Sequence, residues 1–193
     1  MLIFPEGTNM SHNNRRISQE YAEKNSLPKN KSVLLPRVKG LYVALKELSP
    51  ENQKIIDFTV GYSGHLREEM AQDIFTLWKV FILGESPSKI SIYVDQYDMT
   101  KEIPDLNFNE STKNVSEANE EKEMKFLESW INSVWQKKEV MMNTYYEKGE
   151  FDTKPKQRID FPIRLHHYWE IVMVYLPSII LASSAFILYK IFV

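Results

Sequence analysis

Apolar and polar positions along the chain fall into short blocks whose spacing changes several times. The opening Met1–Phe4 is an apolar run that stops at Pro5 and Gly7, which predicts a buried strand entering a tight turn. Residues 9–32 are polar, with a short helix predicted over Ser18–Asn25 before Leu27 and Pro28. The segment 32–36 (SVLLP) predicts a second short strand, and Leu41, Leu45 and Leu48 recur at helical spacing in the stretch that follows, up to Pro50. Ile55–Tyr62 is β-branched and aromatic, predicting another strand, with a helical stretch from Leu66 to about Leu83 after it. In Lys89–Tyr97, Ile90, Ile92 and Val94 alternate with Ser91, Tyr93 and Asp95, the period of a half-exposed strand. Strand, loop and helix thus recur, and the expected fold class is α/β.

Residues 100–118 are polar and proline-bearing and are expected to form a linker. A long helix follows from about Asn119 to Tyr146, with Met124, Leu127, Trp130, Ile131, Val134, Met141 and Tyr145 mostly three and four apart, and Gly149 as its C-cap. That apolar face suits packing on a sheet, or contact with a membrane surface. Beyond it, Ile171 to Tyr189 carries no charged side chain and is long enough for a transmembrane helix, with Tyr168, Trp169 and Tyr189 at its ends. Lys154, Lys156, Arg158 and Arg164 precede the run and Lys190 alone follows it, so the positive-inside bias places the main body in the cytosol with a C-terminal anchor. Met1–Phe4 is too short for a signal peptide. The expected organisation is a domain over 1–99, the linker 100–118, a tryptophan-rich helix over 119–151, a basic juxtamembrane segment 152–167 and a membrane tail 168–193.

The 193 residues suit one modest core, and 43% apolar against 26% charged residues excludes a wholly disordered chain. A net charge of −2 gives no positive field for nucleic acid, which is not expected as a partner. Without cysteine there is no disulfide, thiolate nucleophile or Cys-ligated metal. The four histidines, 12, 65, 166 and 167, have neither an aspartate at the fifth following position nor a histidine partner at i+4. No metal site, no catalytic residue and no tightly bound cofactor is therefore expected. The adjacent His166 and His167 suit interfacial polarity, and His65 follows a strand where an α/β fold often places functional groups. The turn Phe4–Asn9 (FPEGTN) offers chemistry: Gly7 admits close approach to the backbone, and Thr8 and Asn9 add side-chain donors, a combination suited to a phosphate or glycerol group. Glu6 reads equally well as an ion-pair partner.

FPEGTN resembles the FPEGT block of the glycerolipid acyltransferases. AEKNSLP and VLLPRVKG (Val33–Gly40) resemble a further block of the same family, in the form found in the lysocardiolipin and lysophosphatidylinositol acyltransferase branch. Trp130, Trp135, Lys138, Glu139, Tyr145, Tyr146 and the Gly149–Phe151 turn resemble that branch's tryptophan-rich helix. The resemblance covers most of residues 1–151. It implies acyl transfer from acyl-CoA, a cosubstrate, to a lysophospholipid of the lysophosphatidylinositol or lysophosphatidic acid type, at the endoplasmic reticulum membrane. It implies acceptor binding by Glu6, Gly7, Thr8 and Asn9, where Asn9 replaces the arginine of many relatives, and a structural or acyl-pocket role for Pro36. The general base of such enzymes lies in an NHxxxxD block that this sequence lacks, so the expectation is an incomplete, C-terminal half of the sheet-and-helix domain, inactive alone. The competing expectation is a non-catalytic tail-anchored protein that binds anionic lipid or a partner through the basic segment and the tryptophan-rich helix.

Overall fold

The computed structural model describes residues 1–47, 54–104, 106–107, 112, 115–152, 157–162, 167 and 169–192. The chain divides into two units, residues 1–153 and 154–193.

In the first unit, α1 (His12–Lys24) starts at Ser11, whose hydroxyl accepts the Asn14 N–H, and α2 (Val38–Glu47) presents Leu41, Tyr42 and Leu45 inward. Strand β1 (Lys54–Tyr62) pairs antiparallel with β2 (Ile90–Asp98), Phe58 standing opposite Val94. Between them lie a single turn, α3 (Ala71–Ile74), and a π-helical turn, Lys79–Leu83. The short α4 (Met99–Glu102) leads to α5 (Glu117–Lys148), a 32-residue helix closed by Gly149 at φ 74°. The core joins α2, Tyr97, Met99, Ile103 and Leu106 to Leu127, Ile131, Val134 and Trp135 of α5. Leu127 and Ile131 are essentially fully buried, each stabilising the fold by about 1.5–3 kcal/mol through withdrawal from water.

Three charged residues also sit on the buried side of α5, and each is matched. Glu123 meets Lys46 at 3.0 Å and accepts the Tyr42 hydroxyl at 2.8 Å. Lys138 meets Asp57 at 2.7 Å. Glu139 accepts the N–H groups of Lys31, Ser32 and Val33 at 2.9, 2.9 and 3.1 Å.

The structure corrects the α/β expectation: among the described residues the fold mixes helices with one small antiparallel two-stranded sheet. Met1–Phe4 and 32–36 are not strands. Side chains take the hydrogen-bonding place of a neighbouring strand along the second of these, Glu139 binding residues 31–33, Glu6 the Leu34 N–H and Ser18 the Leu35 N–H. The stretch Leu66–Leu83 is not one helix either; Leu77, Trp78, Phe81, Ile82 and Leu83 all remain exposed, so no core contact supports a continuous helical stripe. The predicted α2, β1, β2 and α5 are present within a few residues of their expected bounds.

In the second unit, the His167 ring stacks on Trp169, Arg158 pairs with Asp160, and α6 runs over Trp169–Phe192. Among the described residues no helix is long and apolar enough to cross a membrane, which overturns the expected C-terminal transmembrane helix. The helix carries Glu170 in its first turn and Lys190 in its last, with Pro177, Ser178, Ser183 and Ser184 between. Lys154, Lys156 and Arg164 of the expected basic segment, with His166 and Tyr168, lie outside the described residues.

Candidate functional site

The turn Phe4–Asn9 is held from several directions. Gly7 takes φ 70° and donates to the Phe4 carbonyl at 2.9 Å, and a Cβ placed on it would stand 3.2 Å from Cδ of Arg37. Both the left-handed backbone and the Arg37 side chain lying against it favour glycine here. Arg37, whose own N–H donates to the Pro5 carbonyl at 2.7 Å, is tied to the turn through backbone as well as side chain. Half-buried Pro36 precedes it, just ahead of α2.

Thr8 donates to the Asn9 side-chain oxygen at 3.3 Å, and Asn14 donates to the Thr8 hydroxyl oxygen and the Asn9 carbonyl. The Asn9 amide donates to Gln72, so this residue bridges the turn to α3. Thr8 and Asn9 are exposed and open to a ligand.

Glu6 turns the other way. One carboxylate oxygen accepts both the Leu34 N–H and the Trp135 indole N–H, each at 3.2 Å, which fastens the turn to the 33–36 segment and to α5. Withdrawal from water holds its carboxyl above the usual carboxylate range, against the opposing pull of those two hydrogen bonds and of the Lys138 ammonium.

Glu6 also lines an apolar cleft of about 810 Å³. Its walls are Met1–Pro5, β1 from Lys54 to Val60, Leu41, Ala44 and Leu45 of α2, and Trp130, Ile131, Val134 and Trp135 of α5. Lys138 is a buried cationic group on its wall, held by Asp57, by the Thr59 hydroxyl at 2.9 Å and by the Phe58 carbonyl at 3.1 Å, with its ammonium 5.1 Å from the Trp135 ring centre. A cleft of this size lined by aliphatic and aromatic groups, with a carboxyl and an ammonium fixed on its wall, suits an amphiphile rather than a fully polar ligand.

The structure therefore brings Glu6, Gly7, Thr8 and Asn9 together with the segment of Pro36, but divides their tasks. Glu6 is bound inward, whereas Thr8 and Asn9 face out. Residue patterns alone did not identify Arg37 as the neighbour of Gly7 or Trp135 as the partner of Glu6, because the second pair is separated by 129 positions. A local signal did exist for Lys138 and Glu139: two charges beside each other on an apolar helical stripe have to be paired if the stripe is buried. His65 packs its ring edgewise on Phe75 and Tyr146, with Nδ1 2.9 Å from the Leu66 carbonyl oxygen.

Comparison with known sequences bears on what such a site does. The chain is 33% identical over 156 residues to a 2-acyl-1-lysophosphatidylinositol acyltransferase of Saccharomyces cerevisiae, covering 81% of this chain and 35% of that protein. It is 30% identical over 166 residues to lysocardiolipin acyltransferase 1 of Gallus gallus, covering 85% and 37%. A probable 1-acyl-sn-glycerol-3-phosphate acyltransferase of Arabidopsis thaliana is 27% identical over 158 residues, covering 82% and 35%. The chain spans about a third of the length of these curated relatives. No family model and no solved structure matches it.

Proposed function

For this chain, homologous to lysophospholipid and glycerolipid acyltransferases, we propose a part in acyl transfer from acyl-CoA to a lysophospholipid. The observation that carries the reading is the junction at Glu6, where an apolar cleft meets a turn with exposed hydrogen-bonding side chains. In this reading the acceptor's acyl chain lies along Leu41, Leu45, Val134 and Trp135, and its glycerol oxygens meet Thr8 and Asn9. Glu6 is a positioning residue: it ties the turn to α5 and sets the turn's distance from the cleft. In the reaction the free acceptor hydroxyl oxygen attacks the thioester carbonyl, a C–O bond forms, the C–S bond breaks, and the hydroxyl proton passes through a base to the CoA thiolate. The share proposed for these 193 residues, which carry no His-x4-Asp pair, is acceptor binding. Endoplasmic reticulum membranes are the proposed place of action.

The test uses microsomes from cells lacking the gene, given labelled acyl-CoA and lysophosphatidylinositol, lysophosphatidic acid or lysocardiolipin. Incorporation into at least one acceptor is expected to fall, to return with the wild-type gene and to stay low with Glu6→Ala. Unchanged incorporation into all three acceptors overturns the reading.

A further inference from the structure

Two arginines from distant parts of the first unit converge beside the Phe4–Asn9 turn. Arg15 of α1 donates through Nη2 to the Arg67 carbonyl at 3.0 Å, and Arg67 donates through Nη2 to the Asn143 carbonyl of α5 at 3.3 Å. Asn14, the residue before Arg15, binds the turn at Thr8 and Asn9, and the Asn9 amide reaches Gln72, five positions after Arg67. The pair therefore belongs to the same corner of the molecule as the exposed side of the turn.

The charge balance at this corner is unusual. Among the described residues Arg15 has no carboxylate partner, and the Nε atoms of both arginines are buried without a hydrogen-bond acceptor. Arg67 has one carboxylate near, Glu147 at 3.5 Å, whose side chain is 69% exposed and so only weakly compensates. Burial raises the Tyr146 hydroxyl above its ordinary value, the charges of Arg15 and Arg67 pull it back, and Tyr145 and Glu139 add to the rise. Two cations in one corner, each with a buried Nε–H that has no acceptor, incur both repulsion and desolvation. A dianionic or monoanionic oxyanion accepting from both forks would remove both costs, and planar guanidinium forks match phosphate oxygens well.

We propose that Arg15 and Arg67 form a binding site for the phosphate of a phosphate ester. The anion site stands on this geometry alone. Its assignment to the headgroup phosphate of a lysophospholipid rests on the proposed acyl-transfer role, and it separates the work of the corner: Thr8 and Asn9 take the glycerol oxygens, and the arginine pair takes the charge. That division also accounts for Glu6, whose carboxylate faces away and is bound by Trp135 and Leu34 instead of repelling the phosphate.

The experiment titrates the 193-residue chain with inorganic phosphate, glycerophosphoinositol and lysophosphatidylinositol micelles by calorimetry. Saturable binding of at least one is expected, weakened about tenfold or more by Arg15→Gln and by Arg67→Gln through loss of a charge-assisted contact. Glu147→Gln, a change at an exposed side chain that leaves both arginines in place, is expected to strengthen binding severalfold by removing the competing carboxylate. Arg16→Gln, which breaks the exposed contacts with Glu20 and with the Asn13 side chain, is expected to leave it unchanged. Tighter binding of the two inositol esters than of inorganic phosphate identifies a headgroup site; equal binding identifies a free-phosphate site. The anion proposal is overturned if none of the three probes binds, or if binding is indifferent to Arg15→Gln, Arg67→Gln and Glu147→Gln together. Phosphate-ester binding with unchanged microsomal acylation in the gene-deleted cells would retain the site and discard the acyl-transfer role.

Discussion

Gly61 of β1 lies directly under the Tyr145 ring of α5: a Cβ built on this glycine would stand 2.6 Å from the ring carbon that bears the hydroxyl and 2.7–2.8 Å from its two neighbours. No side chain fits between strand and helix there. Gly61→Ala is expected to destabilise the chain by about 1–3 kcal/mol through overpacking, read as a lower urea midpoint. Combining it with Tyr145→Leu is expected to recover part of the loss. A midpoint unmoved by Gly61→Ala would mean that the strand and helix can separate freely at this point.

The buried pair Lys46–Glu123 gives a second prediction. Lys46 is shielded from water and donates to Glu123 and to the Asn107 carbonyl, while Glu123 also takes the Tyr42 hydroxyl. Removing one partner strands the other, so Glu123→Leu alone is expected to cost about 3–5 kcal/mol. The double change Lys46→Met with Glu123→Leu is expected to cost less than the single one. Denaturant titration of the four proteins, wild type included, gives the coupling directly, and additive losses would refute it.

Glu6 predicts a pH dependence whose sign is opposite to that of a salt-bridged carboxylate. Its folded carboxyl titrates above its unfolded value of about 4.5, because burial disfavours the charge. The folded state therefore holds the proton more tightly, and this stabilising contribution is complete below that value and is lost as the pH rises through the folded one. Glu6→Gln keeps an acceptor for Trp135 and Leu34 without the charge. Its stability relative to wild type is expected to improve from pH 4 to pH 8, measured by urea unfolding at each pH; parallel curves for the two proteins would contradict the assignment.

The cleft can be closed without touching the turn. Ala44 faces it from α2, and Ala44→Trp fills part of the space between α2 and β1. Lysophosphatidylinositol binding, followed by the fluorescence of Trp130 and Trp135 in the cleft wall, is expected to weaken about tenfold or more, since roughly 0.8 kcal/mol is lost per methylene excluded from the apolar site. Inorganic phosphate, which needs no cleft, is expected to bind as before. Equal binding of the lysolipid to wild type and variant would place its acyl chain elsewhere.

Much of the element order was legible because it rests on local periodicity. Leu41 and Leu45 mark α2, the alternation from Ile90 to Val94 marks β2, and Gly149 marks the end of α5. The strand expected at 32–36 failed for a physical reason. An apolar run such as 32–36 states that a segment is buried, but not what satisfies its backbone, and here carboxylates and a serine hydroxyl do what a strand neighbour would have done. The turn Phe4–Asn9 was visible for the same reason as Gly149, a glycine at a bend. Its supports, Arg37, Gln72 and Trp135, were not, since they arrive from elements brought close only by folding.

The anchoring of so many segments to α5 has a consequence for how the chain can be made. Residue 6, residues 31–33, Lys46, the stretch 57–59 and the Asn107 N–H all find their partners on this one helix. During synthesis the first hundred or so residues leave the ribosome before any of those partners exists. The cleft, the turn and the arginine corner therefore come into being together, when the last turn of α5 emerges, and a nascent chain halted before that point exposes an apolar sheet face with nothing yet to close it.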